Sequence, residues 1–146
     1  MSSINDGLKL TGKLIIALNG KVIQEIDNLV TTAGKGYVAN RMRSDVSGGV
    51  ALMSHMAVGT GTTDPVVGNT ALETESARVA LTSSAVSAAV VTYIATFPAG
   101  TGTAALTEAG VLSASSGGTL LCRTEFAVVN KGSSDAMTIT WTVTVS

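Results

Sequence analysis

The last ten residues of the chain read MTITWTVTVS, with Met137, Ile139, Trp141, Val143 and Val145 alternating with Thr138, Thr140, Thr142 and Thr144. A period of two sends successive side chains to opposite faces of an extended strand, whereas a helix would scatter these five apolar residues around its surface. One face of this strand must therefore be buried, Trp141 beside Ile139 and Val143, and the threonine face is left for water or a partner. A strand of this kind needs neighbours, which the rest of the chain has to supply.

The chain has 146 residues, the size of one domain that buries roughly 70% of its unfolded surface. Its side chains are small: 45% of residues are hydrophobic, but only 3% are aromatic and 13% charged. A net charge of −1 argues against nucleic acid or anionic lipid, both of which attract basic surfaces. The single cysteine, Cys122, follows Leu120 and Leu121, which predicts a buried, unreactive thiol and a fold held by packing alone. No charged start leads into an apolar run, and no stretch approaches the roughly 18 apolar residues of a membrane span. The expectation is a soluble, unsecreted protein.

Punctuation along the chain divides it into short strands. Asn19-Gly20 between Leu14–Leu18 and Val22–Ile26 is the pairing favoured in tight hairpin turns. Thr31 or Thr32 is placed to cap a helix from Ala33 to Arg43, with Tyr37, Val38 and Met42 on one side and Gly34 and Gly36 weakening it. Ser47-Gly48-Gly49 ends that segment. The run LMSHMAVGTGTT from Leu52 to Thr63 predicts a mid-sheet strand buried on both faces, then a loop in which Gly59 and Gly61 supply conformational freedom. Further strands are predicted at 77–86, 90–97, 106–112 and 120–126, with a polar loop at 130–135. Together these indicate a mainly β fold, an antiparallel β-sandwich or partly open barrel with an N-terminal β-hairpin and one short helix. Residues 1–7 read as an arm. The expected division is an assembly element at 1–49 and a β body at 50–146.

Residues that carry chemistry are sparse. His55, the only histidine, lies in an apolar run between Met53 and Met56 and reads as structural. No G-x-S-x-G elbow occurs. Gly59-Thr60-Gly61-Thr62-Thr63 lacks the lysine and the following helix of a phosphate loop, and Asp64, Glu73 and Glu75 lack the spacing of a calcium loop. The expectation is no enzyme, no cofactor and no metal. Six of the nine basic residues, Lys9, Lys13, Lys21, Lys35, Arg41 and Arg43, fall in the first 45. They mark a candidate partner interface, because an isolated hairpin is marginal in water and must pack on something.

From Met56-Ala57-Val58-Gly59-Thr60-Gly61 onward the chain resembles a recurrent module of tailed-phage virion proteins. The pattern continues through Thr70-Ala71-Leu72, Glu75, Arg78, residues 91–97, Thr107-Glu108-Ala109-Gly110-Val111-Leu112, residues 120–126 and Ile139-Thr140-Trp141. Similar runs occur in the amino-terminal domain of tail-collar fibres and in small standalone virion proteins, and the resemblance covers residues 50 to 146. It implies a structural β domain, favoured here as a capsid decoration or cement protein bridging major capsid subunits, with a homo-oligomer, a trimer first, as its assembly. A collar, neck, fibre or baseplate component is the alternative within the virion. A carbohydrate-binding module is the alternative outside it. The pattern also brings Arg78 and Glu108 into one body, where they are expected to form a charge-assisted pair between strands.

Overall fold

Asn19 and Gly20 both adopt positive φ, 51° and 82°, the geometry of a primed two-residue turn. In the computed structural model, which describes residues 7–45 and 49–146, this turn joins β1 (Leu10–Leu18) to β2 (Lys21–Val30). Their register shifts between Ile16 and Ala17. That bulge accounts for the imperfect alternation in the sequence of the second arm.

The hairpin is the centre of the sheet. Strand β1 pairs along its whole length with β9 (Met137–Val145), from Leu10 opposite Val145 to Leu18 opposite Met137. Leu14 thereby meets Trp141 and Ile16 meets Ile139, and all four side chains are fully buried. Strand β2 pairs with β1 as far as Asn28, then turns so that Leu29 and Val30 pair with Arg123 and Cys122 of β8 (Leu120–Lys131). The expected division between 1–49 and 50–146 therefore does not follow the sheet. The hairpin buries itself against the rest of the chain, because only strands on both sides satisfy its two backbone edges.

The remaining strands are β3 (His55–Gly59), β4 (Glu75–Ala80), β5 (Ser83–Ser87), β6 (Val90–Phe97) and β7 (Ala104–Leu112). Among the described residues the sheet has nine strands, all antiparallel, in the order β4-β3-β7-β8-β2-β1-β9-β6-β5. The run expected to be one strand from 77 to 86 is divided. Strand β4 pairs with β3 at one end of the order and β5 with β6 at the other. Between them the Leu81 N–H donates to the Ser54 carbonyl (2.9 Å) and the Thr82 N–H to that of Ile94 (2.7 Å). The chain thus steps from one edge of the sheet to the other, curling it into a partly open barrel around the main core, with a second, smaller apolar cluster of Ala57, Leu72, Leu112 and Leu120 apart from it. Strand β3 is buried on both faces, as its composition predicts, with Met56, Ala57 and Val58 fully buried. It lies beside the edge strand β4, however, and not mid-sheet, and Leu52 is outside it and exposed.

Helix α1 (Thr32–Arg41) lies on β8. Thr31 is its N-cap: its hydroxyl accepts from the Gly34 N–H (2.9 Å) and donates to the Leu120 carbonyl (2.7 Å). A Cβ at Gly34 would sit 2.1 Å from the Leu121 carbonyl oxygen. The residue that weakens the helix is therefore the one that lets it touch the sheet. Tyr37 and Val38 pack against the core, but Met42 falls past the helix end and is exposed. Residues 1–6, in the expected arm, and 46–48, in the expected Ser-Gly-Gly break, lie outside the described residues.

Candidate functional site

Glu108, on β7, is fully buried beneath the loop between β3 and β4, and a carboxylate taken out of water must be paired and hydrogen-bonded. Its Oε2 accepts from the backbone N–H groups of Gly61 (2.8 Å) and Thr74 (2.7 Å), and its Oε1 from that of Glu73 (2.9 Å). Arg123 of β8, 1% exposed, completes the set through Nε at 3.1 Å and Nη2 at 3.0 Å from Oε1. The same guanidinium donates to Asn69 Oδ1 (3.1 Å) and to the Thr63 carbonyl (3.0 Å). One ion pair thus fixes both ends and the middle of the long loop between β3 and β4.

The glycines of that loop are explained by the same carboxylate. Gly59 and Gly61 are absent from the residues with positive φ, so conformational freedom is not what they contribute. A Cβ at Gly61 would lie 2.4 Å from Glu108 Oε2, and one at Gly59 2.2 Å from the Thr74 carbonyl oxygen. The anion cradled by this Gly-Thr-Gly segment is the protein's own Glu108. Thr107 closes the contact by donating to the Gly61 carbonyl at 2.7 Å. At the rim, Glu73 is held below the usual carboxylate range by the Thr63 hydroxyl and the Thr62 N–H.

The expected Arg78–Glu108 pair does not form. Arg78 makes a two-pronged contact with Glu75 (2.9 and 2.7 Å) and donates to the Ala114 and Gly117 carbonyls at 2.8 Å. It ties the edge strand β4 to the turn between β7 and β8, while Glu108 meets Arg123 of the neighbouring strand β8 on the diagonal, Arg123 lying opposite Gly110. The signal for Arg123 in the sequence is its place directly after Leu120-Leu121-Cys122: a charge inside an apolar run requires a buried partner.

The six basic residues of the first 45 do not form one patch. Lys9 and Lys35 face the same cleft between α1 and the start of β1. Lys13 pairs loosely with Glu25 across the hairpin (3.9 Å), and Lys21 begins β2 at the hairpin turn. Arg41 closes the last turn of α1 and Arg43 follows it. At the far end of the hairpin, Asn19 donates to Asp135 Oδ1 (2.8 Å) and accepts from the Ala136 N–H (2.9 Å), docking the first turn of the chain on the last. The Asn19 amide, the Gly132 N–H and the nearby Lys131 charge hold the Asp135 carboxyl below its ordinary value.

His55 is half-buried, with Nδ1 2.7 Å from the Ser54 hydroxyl. Cys122 is fully buried, and burial pushes its thiol well above the usual range. Among the described residues no three His, Cys, Asp or Glu side chains converge on a position that could hold a metal ion, and no helix is long and apolar enough to cross a membrane. No protein family matches this chain, and neither the curated proteins nor the solved structures contain a match to it.

Proposed function

We propose that this chain is a non-enzymatic structural protein of a tailed-phage particle, and within it a decoration or cement protein that bridges major capsid subunits. One observation carries the reading. Four of the runs that resemble the virion module meet at one place: Met56–Gly61, Thr70–Leu72, Thr107–Leu112 and residues 120–126 adjoin the Glu108–Arg123 pair and the loop it holds, while residues 91–97 and 139–141 pair with each other elsewhere in the sheet. What these four runs share is a scaffold whose buried charges shape a surface loop.

A cement protein acts through area and shape, because locking a shell from outside requires adhesion across joints and no chemistry. The threonine face of β9 and the exposed loop tip at Val66 and Val67 suit such contacts, and assembly as a trimer would repeat them around an axis. A sugar-binding role would need exposed rings, whereas Trp141, Phe97, Phe126 and Tyr93 are in the core. Gold-labelled antibody against the chain, imaged on intact particles, tests the proposal. Label scattered over the head is the expected result; label confined to the tail would replace cement with the collar, neck, fibre or baseplate alternative.

A further inference from the structure

The cleft between α1 and the start of β1, about 440 Å³, is within the roughly 300–1,000 Å³ of ligand-binding pockets. Its walls are Leu8, Leu10, Val38 and Met42. Met42 is 76% and Leu8 67% exposed, so two of the most exposed large apolar side chains of the protein converge on one depression. The charged residues lining the cleft are Lys9 and Lys35; Asp27 lines the adjoining depression that shares Leu10, Thr11 and Lys35 with it, and Ser146 is hydrogen-bonded to the Lys9 backbone. Neither lysine pairs with an acid among the described residues. Lys35 lies near the start of a helix whose first turn has no acidic residue. A cation there opposes the helix dipole and gains from a carboxylate brought close to it.

We propose that this cleft is a docking groove for a segment of another protein that inserts an apolar side chain between Met42 and Leu8 and sets carboxylates on Lys9 and Lys35. The apolar floor supplies affinity and the two lysines supply selection, since a basic or neutral segment would leave them uncompensated. The proposal takes from the function above only that the occupant is a neighbour in the same particle. It narrows the six-residue basic interface expected from the sequence to these two lysines.

The test uses the full chain, isotope-labelled, titrated with a short end-blocked synthetic peptide that carries a Leu-Phe pair between aspartates. Saturable NMR shifts confined to Leu8, Lys9, Lys35, Val38 and Met42, weakening with salt, are expected. Changing both lysines to glutamate (K9E with K35E), or the aspartates of the peptide to asparagine, should each weaken binding by about tenfold or more; Met42→Ser should do so without changing the melting temperature. Shifts centred elsewhere, no shifts at all, equal binding of the neutral peptide, or self-association of the chain through this face would overturn the proposal. Failure here removes the groove and leaves the particle labelling to judge the function.

Discussion

Glu108→Ala is the perturbation with the clearest physical consequence. It removes the acceptor of three backbone N–H groups and leaves the Arg123 guanidinium, 1% exposed, without its counter-charge. Breaking a buried pair by removing one partner costs about 3–5 kcal/mol. A second variant separates the two roles of the carboxylate. If it serves only to neutralise Arg123, the double replacement Glu108→Leu with Arg123→Met should recover most of the loss, because apolar pairs of similar volume substitute well for buried ion pairs. If it shapes the loop, the Gly61, Glu73 and Thr74 N–H groups remain orphaned at about 1–3 kcal/mol for each one kept from water. Gly61 is buried while Glu73 and Thr74 reach solvent, so the double variant should stay about 1–3 kcal/mol below the parent. Urea unfolding at neutral pH, followed by Trp141 fluorescence, gives both numbers. A Glu108→Ala loss under about 1 kcal/mol, or a double variant as stable as the parent, would refute the reasoning.

Trp141 is fully buried between β1 and β6: Trp141→Ala should cost roughly 3–5 kcal/mol, and the folded protein should emit at the blue-shifted wavelength of a dry indole. Because β1 and β2 occupy the middle of the sheet, a chain lacking residues 1–45 should be unfolded by circular dichroism; a cooperative thermal transition in that truncation would restore the independent body expected from the sequence. Asp135 has a lowered pKa, so its stabilising contribution is present above the unfolded value near 3.8 and is lost as pH falls through the folded one. The stability gap between the parent and Asp135→Asn, measured by denaturation at stepped pH, should accordingly narrow below about pH 4. Gly34→Ala should lift α1 from β8, since its Cβ would overlap the Leu121 carbonyl, and raise amide exchange across the helix despite the better helix propensity of alanine.

What the sequence discloses here is local pattern, and what it conceals is pairing. The alternation of β9, the Asn19-Gly20 turn, the 90–97 strand and the Thr31 cap are all set by residues within a few positions of one another, and each is found where the pattern puts it. Alternation says that a strand has a buried face and nothing about which strand lies beside it, so a hairpin near the start of the chain reads as an appendage although it fills the middle of the sheet. The break at Leu81-Thr82 is hidden for the same reason: a strand that leaves one neighbour for another stays extended and keeps its composition. Glu108 is visible as a charge in an apolar strand, but its choice of Arg123 over Arg78 follows from strand order: β8 lies directly beside β7, whereas β3 separates β7 from β4.

The position of β1 between β2 and β9 also sets a timetable for synthesis. Thr142 donates to the carbonyl of Lys13, 129 residues earlier, so the second edge of β1 waits for nearly the whole chain. At translation rates of about 5–20 residues per second, the interval between the end of β2 and the start of β9 is roughly 5–20 s. Through that interval Leu14 and Ile16 have no cover from β9 and the hairpin presents an open apolar edge, the template on which nascent chains aggregate. Folding of this barrel is therefore deferred until β9 has emerged from the ribosome. Variants that slow the docking of β9 should first betray themselves as insoluble material in expressing cells, before any loss of stability is measured in the purified protein.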